Sequence, residues 1–222
     1  MSAKWKAAAR RNPVYWICSH VVRGLAKVYF RLGTRGVHHV PAVGPVILAV
    51  NHVSFADPPL VGCVLPRSIH YLARQSLFSN PLFGRLIRAF NAVPVDRDGG
   101  GAAGLKAILD RLEGGAGILM FPEGTRSPDG RLQRARPGIG MAVIKSRAPV
   151  VPVRMVGGFE AWGRHAQWPR PRRITVVLGE PMDFAALRRE AEHCGKDRLK
   201  AIYQEVADDI MRAIERLEER AL

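Results

Sequence analysis

The first 56 residues contain no aspartate or glutamate, while Lys4, Lys6, Arg10, Arg11, Arg23, Lys27, Arg31 and Arg35 all lie within them. The chain has 222 residues and a formal net charge of +15, so more than half of the excess sits in this opening stretch. A field so polarised points to an anionic partner for the amino-terminal half, either a membrane surface or nucleic acid. Cysteine is also scarce. Cys18, Cys63 and Cys194 are scattered and odd in number, which argues against a disulfide framework or a cysteine zinc site and fits a reducing cytoplasmic setting. There is no internal repeat and no low-complexity linker, and the length suits one domain with a sizeable core.

Long uncharged apolar runs are missing too. From Pro13 to about Leu32, Val14, Ile17, Val21, Leu25, Val28 and Leu32 recur at helical spacing, and Trp16, Val22, Tyr29 and Phe30 widen the face. Arg23, Lys27 and Arg31 form a separate stripe, with His20 in the middle. Such a helix would be ~30 Å long, enough to cross a bilayer. Cations at its centre would be costly in hydrocarbon, so an amphipathic helix lying in the interface is the expected solution. The same charges exclude a signal peptide. Trp5 and its basic neighbours suit the headgroup zone. Residues 1–36 therefore read as an amino-terminal amphipathic helical membrane-association segment, with packing against the domain as the alternative. Residues 37–222 read as an α/β domain ending in an amphipathic helix from Lys196 to Leu222.

Within that domain, strand-like and helix-like stretches alternate, which is the pattern of a largely parallel central sheet flanked by helices. Strands are expected over Pro45–Val50, Ser68–Ala73, Ala92–Val95, Gly117–Phe121, Val150–Val156 and Ile174–Leu178. Helices are expected over Pro59–Leu65, Gln75–Phe90, Ala102–Leu112 and Gly138–Arg147. Pro152 marks its strand as an edge or a bulge. Gly157–Arg173, with Trp162, Trp168, Arg164, Arg170, Arg172 and Arg173, reads as an exposed loop able to meet a lipid surface or single-stranded nucleic acid.

The chemistry-bearing residues fall at strand ends. His52 follows the first apolar run, and Asp57 comes five positions later, immediately before Pro58 and Pro59. Open α/β sheets bind ligands at this edge. If the loop folds back, Asp57 accepts from one imidazole nitrogen and leaves the other as a general base. Asp57 could equally cap its helix, and Ser54 is a minor candidate nucleophile without a glycine elbow around it. No third ligand stands at metal spacing, and His38 and His39 precede the strand. Arg97 ends the short Ala92–Val95 run as a candidate phosphate contact, with an ion pair to Asp96 or Asp98 as the alternative. Glu123-Gly124-Thr125-Arg126-Ser127 follows the Gly117–Phe121 strand. There a glycine permits close backbone approach, arginine grips phosphate oxygens two-pronged, and hydroxyls add donors. Arg131, Arg134 and Arg136 extend this basic character.

Four blocks, Asn51-His52 through Asp57, Val95-Asp96-Arg97, Phe121 through Ser127, and Val151-Pro152-Val153, resemble in order and separation the motifs of the glycerolipid acyltransferase family. The likeness is to its bacterial 1-acyl-glycerol-3-phosphate acyltransferases and spans about residues 37 to 180. The resemblance implies transfer of a fatty acyl group from acyl-carrier protein or acyl-coenzyme A to the free hydroxyl of lysophosphatidate, giving phosphatidate. It implies no cofactor and no metal. His52 would be the general base and Asp57 its orienting acid, while Arg97, Glu123, Gly124, Thr125 and Arg126 would position the acceptor. A membrane phospholipid surface, at the cytoplasmic face of a bacterial inner membrane, would be the working environment, with no nucleic-acid partner.

Two departures are visible: Pro94 in the second block, and Arg131 to Gly138 in place of a lysine-glycine pattern. The motifs leave the acceptor open among other lysophospholipids, a lyso-ornithine lipid and glycerol 3-phosphate. Outside the family stand a hydrolase using Ser54 and a basic nucleic-acid-binding module, for which no binding motif is present.

Overall fold

Every residue of Val46–Val50 is buried. A run apolar on both sides is what a central strand requires, and its two faces enter two separate cores. Val46, Leu48 and Val50 join one apolar cluster, Ile47 and Ala49 the other. A computed structural model describes residues 13–95 and 102–218. In chain order it contains α1 (Pro13–Tyr29), β1 (Gly33–Arg35), β2 (Val46–Val50), α2 (Asp57–Val64), β3 (Ile69–Arg74), α3 (Pro81–Ala89), β4 (Ala92–Val95) and α4 (Ala102–Glu113). There follow β5 (Gly117–Met120), α5 (Pro137–Ser146), β6 (Val150–Val156), α6 (Gly158–Trp162), β7 (Thr175–Leu178), α7 (Ala185–His193) and α8 (Lys196–Arg216).

The strands form a single sheet in the order β1-β7-β6-β2-β5-β3-β4. All neighbours are parallel except β6 and β7. One face of the sheet is covered by α1, α2 and α3, through residues such as Tyr15, Leu60, Val61 and Phe90. The other is covered by α4, α5 and α8, through Ile108, Ile139, Val143, Ile202, Val206, Ile210 and Ile214. The chain is thus an α/β domain with a mostly parallel sheet between helices.

Several expectations are corrected. Gln75–Phe90 is not one helix: a 3₁₀ turn over Gln75–Phe78 precedes α3. Asn80 restarts the helix, its side chain accepting from the amides of Leu82 and Phe83 while Pro81 takes the first position. Gly33–Arg35, expected as connection, pairs with β7. β6 is not an edge, since β2 and β7 flank it, but its ladder on the β7 side does slip by one residue beside Pro152: Pro152 meets Gly179 while Val150 bridges Met182. Pro152 is tolerated because its carbonyl, and so its missing N–H, faces the end of β7, where Gly179 donates to that carbonyl at 2.8 Å. Gly157–Arg173 is not simply exposed, because α6 lies within it and buries Gly158 and Ala161. Helix α7 was not anticipated. It is short and largely polar, with no buried residue.

Candidate active site

β2 delivers His52 to the carboxyl edge of the sheet, and the chain folds back within five residues. The His52 Nδ1 lies 2.9 Å from Asp57 Oδ2. A carboxylate only accepts, so Nδ1 carries the hydrogen and Nε2 is left with its lone pair. The same Oδ2 accepts from the amides of Val53 and Ser54, each at 2.8 Å. Asp57 is the first residue of α2 and makes no side-chain cap bond, so the capping role is corrected: the carboxylate serves the loop behind it. It is fully buried. Burial pushes its pKa up, and the His52 ring and the two amides pull it back.

Three other segments hold this loop. The ring of Phe121 stacks on the imidazole at 3.8 Å between centroids. The His52 backbone is gripped on both sides by the loop after β5: its amide donates to Glu123 Oε1 at 3.1 Å, and its carbonyl accepts from Ser127 at 2.7 Å. On the far side, α6 closes against the loop. The Trp162 carbonyl accepts from the Ser54 hydroxyl at 2.9 Å and from the Phe55 amide at 3.4 Å. Gly158 allows this close packing, because a Cβ would stand 3.0 Å from the Val53 side chain and 3.4 Å from Asp57 Oδ1 and press on both. Ser54 is fully buried with its hydroxyl committed to this clamp and to the Ala56 amide, which removes it as a nucleophile.

Glu123 is buried and spends Oε1 on the His52 amide rather than on Arg126. Burial pushes its carboxyl up to about 7, against the pull of the His52 and Gln133 amides. Gly124 has φ +69, the left-handed region, and Arg136 packs on it so closely that a Cβ would meet its Cδ at 2.9 Å. Thr125 is half-buried in the same loop. Arg126 lays its guanidinium over Phe55, 3.5 Å from the ring centroid. Its Nη1 is buried without a hydrogen-bond partner among the described residues. Burial, followed by the positive charges of Arg164 and Arg74, lowers its pKa. Two further guanidinium groups thus act on Arg126 beside the His52 loop, a placement that suits an anion. Arg97 lies outside the described residues.

Sequence reasoning missed Arg74, Arg164, Phe121 and Gly158 as parts of this site. Arg74 ends β3 and was available to the strand-end logic that found His52; Arg164 carried no such signal. A cavity of about 340 Å³ opens beside the pair, lined by His52, Phe121, Gly124 and Arg136 together with Leu72, Leu105, Ile108 and Leu119. It is apolar along most of its wall. Among the described residues no group of three His, Cys, Asp or Glu is placed to hold a metal ion.

The chain belongs to the acyltransferase family: the family model described as Acyltransferase matches residues 31–156. A 1-acyl-sn-glycerol-3-phosphate acyltransferase of Bacillus subtilis is 31% identical over 189 residues, covering 82% of this chain and 84% of that protein. An enzyme of the same name from Cocos nucifera is 31% identical over 160 residues, and the match spans 71% of this chain but only 52% of the relative. Among solved structures, the 1-acyl-sn-glycerophosphate (LPA) acyltransferase of Thermotoga maritima superposes with a TM-score of 0.69 over 90% of this chain and 79% of its own, at 23% identity. At that identity the likeness shows the fold.

Proposed function

We propose that this protein acylates the free hydroxyl of 1-acyl-sn-glycerol 3-phosphate, taking the acyl group from the thioester of acyl-carrier protein or acyl-coenzyme A and releasing phosphatidate and a free thiol. The observation that carries the reading is the hydrogen bond between His52 and Asp57, which leaves Nε2 free as a base beside a largely apolar cavity that His52 helps to line. Nε2 takes the hydroxyl proton as the oxygen bonds to the thioester carbonyl carbon. Asp57 stabilises the imidazolium through Nδ1–H. When the tetrahedral intermediate collapses, the carbon–sulfur bond breaks and the imidazolium proton goes to the departing thiolate. A thioester is activated already, so positioning and one base suffice.

Arg126, with Arg74 and Arg164 nearby and Arg97 from the second motif, holds the acceptor's phosphate. Thr125 adds a donor, and Gly124 keeps the loop close to the ligand. Glu123 acts one step back, fixing the His52 backbone. The apolar cavity suits an acyl chain.

The working place we infer is a membrane surface at the cytoplasmic face of a bacterial inner membrane. None of the described helices is long and apolar enough to cross a membrane. Support comes from how α1 is turned: its inward face carries Tyr15, Ser19 and Ala26, while Val14, Ile17, Val21, Leu25 and Val28 point outward, Val28 at 85% exposure. A helix packed by its apolar stripe would show the reverse. Residues 1–36 form the membrane-association segment in this reading; residues 1–12, with Trp5, lie outside the described ones. The test is acyl transfer by the purified protein in lipid vesicles, with both donors against a panel of lyso-acceptors and glycerol 3-phosphate. Acylation of lysophosphatidate that is lost in His52→Ala supports the proposal, and preference for another acceptor overturns the substrate while leaving the chemistry.

A further inference from the structure

The segment between β3 and β4 presents a second apolar surface that the catalytic reading does not use. Helix α3 turns Gly84, Ile87 and the following Phe90 toward the core, with Phe78 of the preceding turn packed beside them. Leu82, Phe83 and Leu86 fall on the opposite side, joined by Leu77, and Leu82 is 77% exposed. Exposed leucines at i and i+4 with an adjoining phenylalanine form a stripe rather than scattered residues. Arg85 and Arg88 flank it, and the Arg88 guanidinium lies 4.9 Å from the Phe78 ring centroid. The stripe lies on the same face of the sheet as α1: the Tyr15 ring of α1 meets the Phe90 ring edge-on at 6.2 Å.

We infer that α3 and Leu77 form a bilayer-contacting surface separate from α1, with the lipid surface of an anionic membrane as its occupant. The inference rests on the membrane setting proposed above and extends it to a segment between two sheet strands. Charge identifies the occupant. No aspartate or glutamate occurs from residue 58 to 95, and the one acid between 13 and 95, Asp57, is buried. A second copy docking by this face would set arginine against arginine. A layer of anionic headgroups over hydrocarbon meets both requirements, because the leucines enter the apolar boundary while arginine stems extend to the phosphates. Arg74 at the end of β3 belongs to the cluster around Arg126 and directly precedes the turn that carries Leu77. Contact by this segment therefore places lipid at the entrance to the His52 loop.

The experiment uses the full chain and vesicles of phosphatidylglycerol and phosphatidylethanolamine, with phosphatidylcholine vesicles as the uncharged control. Co-sedimentation is measured for wild type, for Leu82→Ser/Leu86→Ser and for Leu82→Trp. Acyl transfer is measured in parallel to a long-chain acceptor in the vesicles and to a water-soluble short-chain one. The expected result is a loss of partitioning onto anionic vesicles of about tenfold or more in the double serine variant. Transfer to the vesicle acceptor falls with it, transfer to the soluble acceptor stays within about twofold, and Leu82→Trp binds at least as well as wild type. Partitioning equal to wild type in the double variant overturns the inference. So does a dimer of the wild type, seen by sedimentation, that the double variant dissolves without change in vesicle binding. Variant-sensitive vesicle binding by a protein that acylates no acceptor leaves this surface assigned and removes the proposed function instead.

Discussion

His52 and Phe121 stack with their planes only 16° apart, so the imidazole is held on its face by an aromatic ring and at Nδ1 by Asp57. A ring fixed from two directions keeps Nε2 aimed with little loss of freedom when substrate arrives. Replacing His52 by alanine should lower kcat about 10²- to 10⁴-fold, the usual contribution of a positioned base, and leave the thermal unfolding midpoint near that of wild type. Phe121→Leu keeps the base but frees its face and should cost less, about tenfold. A His52→Ala protein that retains wild-type kcat rules the base assignment out.

Asp57 separates an electrostatic role from a structural one. Asparagine can still offer one oxygen to the amides of Val53 and Ser54 but carries no charge to stabilise the imidazolium. Asp57→Asn should remain folded and lose kcat on the order of 10²-fold or more. Asp57→Ala deprives both buried amides of their acceptor and should also cost about 2 to 5 kcal/mol of stability in urea unfolding. Equal stability losses in the two variants would contradict this division.

Glu123 predicts a pH dependence of stability. Its folded pKa of about 7 lies above the ordinary 4.5. A carboxyl shifted upward binds its proton more tightly when folded, so the associated stability is full below about pH 4.5 and is lost as pH rises through about 7. Glutamine mimics the protonated form. Relative to wild type, Glu123→Gln should gain about 3 kcal/mol at pH 8 and little at pH 4.5. Unfolding at both pH values decides it, and a pH-independent difference would count against the buried-charge explanation.

The arginine cluster predicts a separation in kinetics. Arg164→Ala removes a cation near Arg126 without touching the His52 loop, so KM for a phosphate-bearing acceptor should rise about fivefold or more while kcat changes little. Arg126→Ala should raise KM further, because it also uncovers Phe55. With an acceptor that lacks the phosphate, both variants should resemble wild type. An Arg164→Ala effect confined to kcat would place that side chain elsewhere in the mechanism.

The strand series and the long carboxyl-terminal helix were legible because their residues carry local signals: apolar runs, period-3.6 stripes, and glycine or proline at their ends. The meeting of His52 with Asp57 was legible for the same reason, since five residues between a strand end and a proline-marked helix leave few ways for the loop to run. Less visible was the purpose of Glu123. Its partner is the His52 amide, 71 positions away, and only the pairing of β2 with β5 brings the two together. The break in the expected Gln75–Phe90 helix was readable in Asn80-Pro81, a cap and a first-turn residue, had the apolar face not dominated the reading.

By itself the sequence determined the alternation of the central strands with their helices, the polarity of the charge and the strand-end position of His52 and Asp57, all of which depend on near neighbours along the chain. The tertiary structure alone decided that β6 is central despite Pro152, that α6 clamps the loop carrying Ser54, and that Arg74 and Arg164 come close enough for their charges to act on Arg126. Those outcomes rest on strand order and on helix placement over the sheet, which join segments tens of residues apart. It also decided which faces of α1 and α3 turn outward. An apolar stripe looks the same in sequence whether it faces a protein core or a bilayer, because burial satisfies it equally in either.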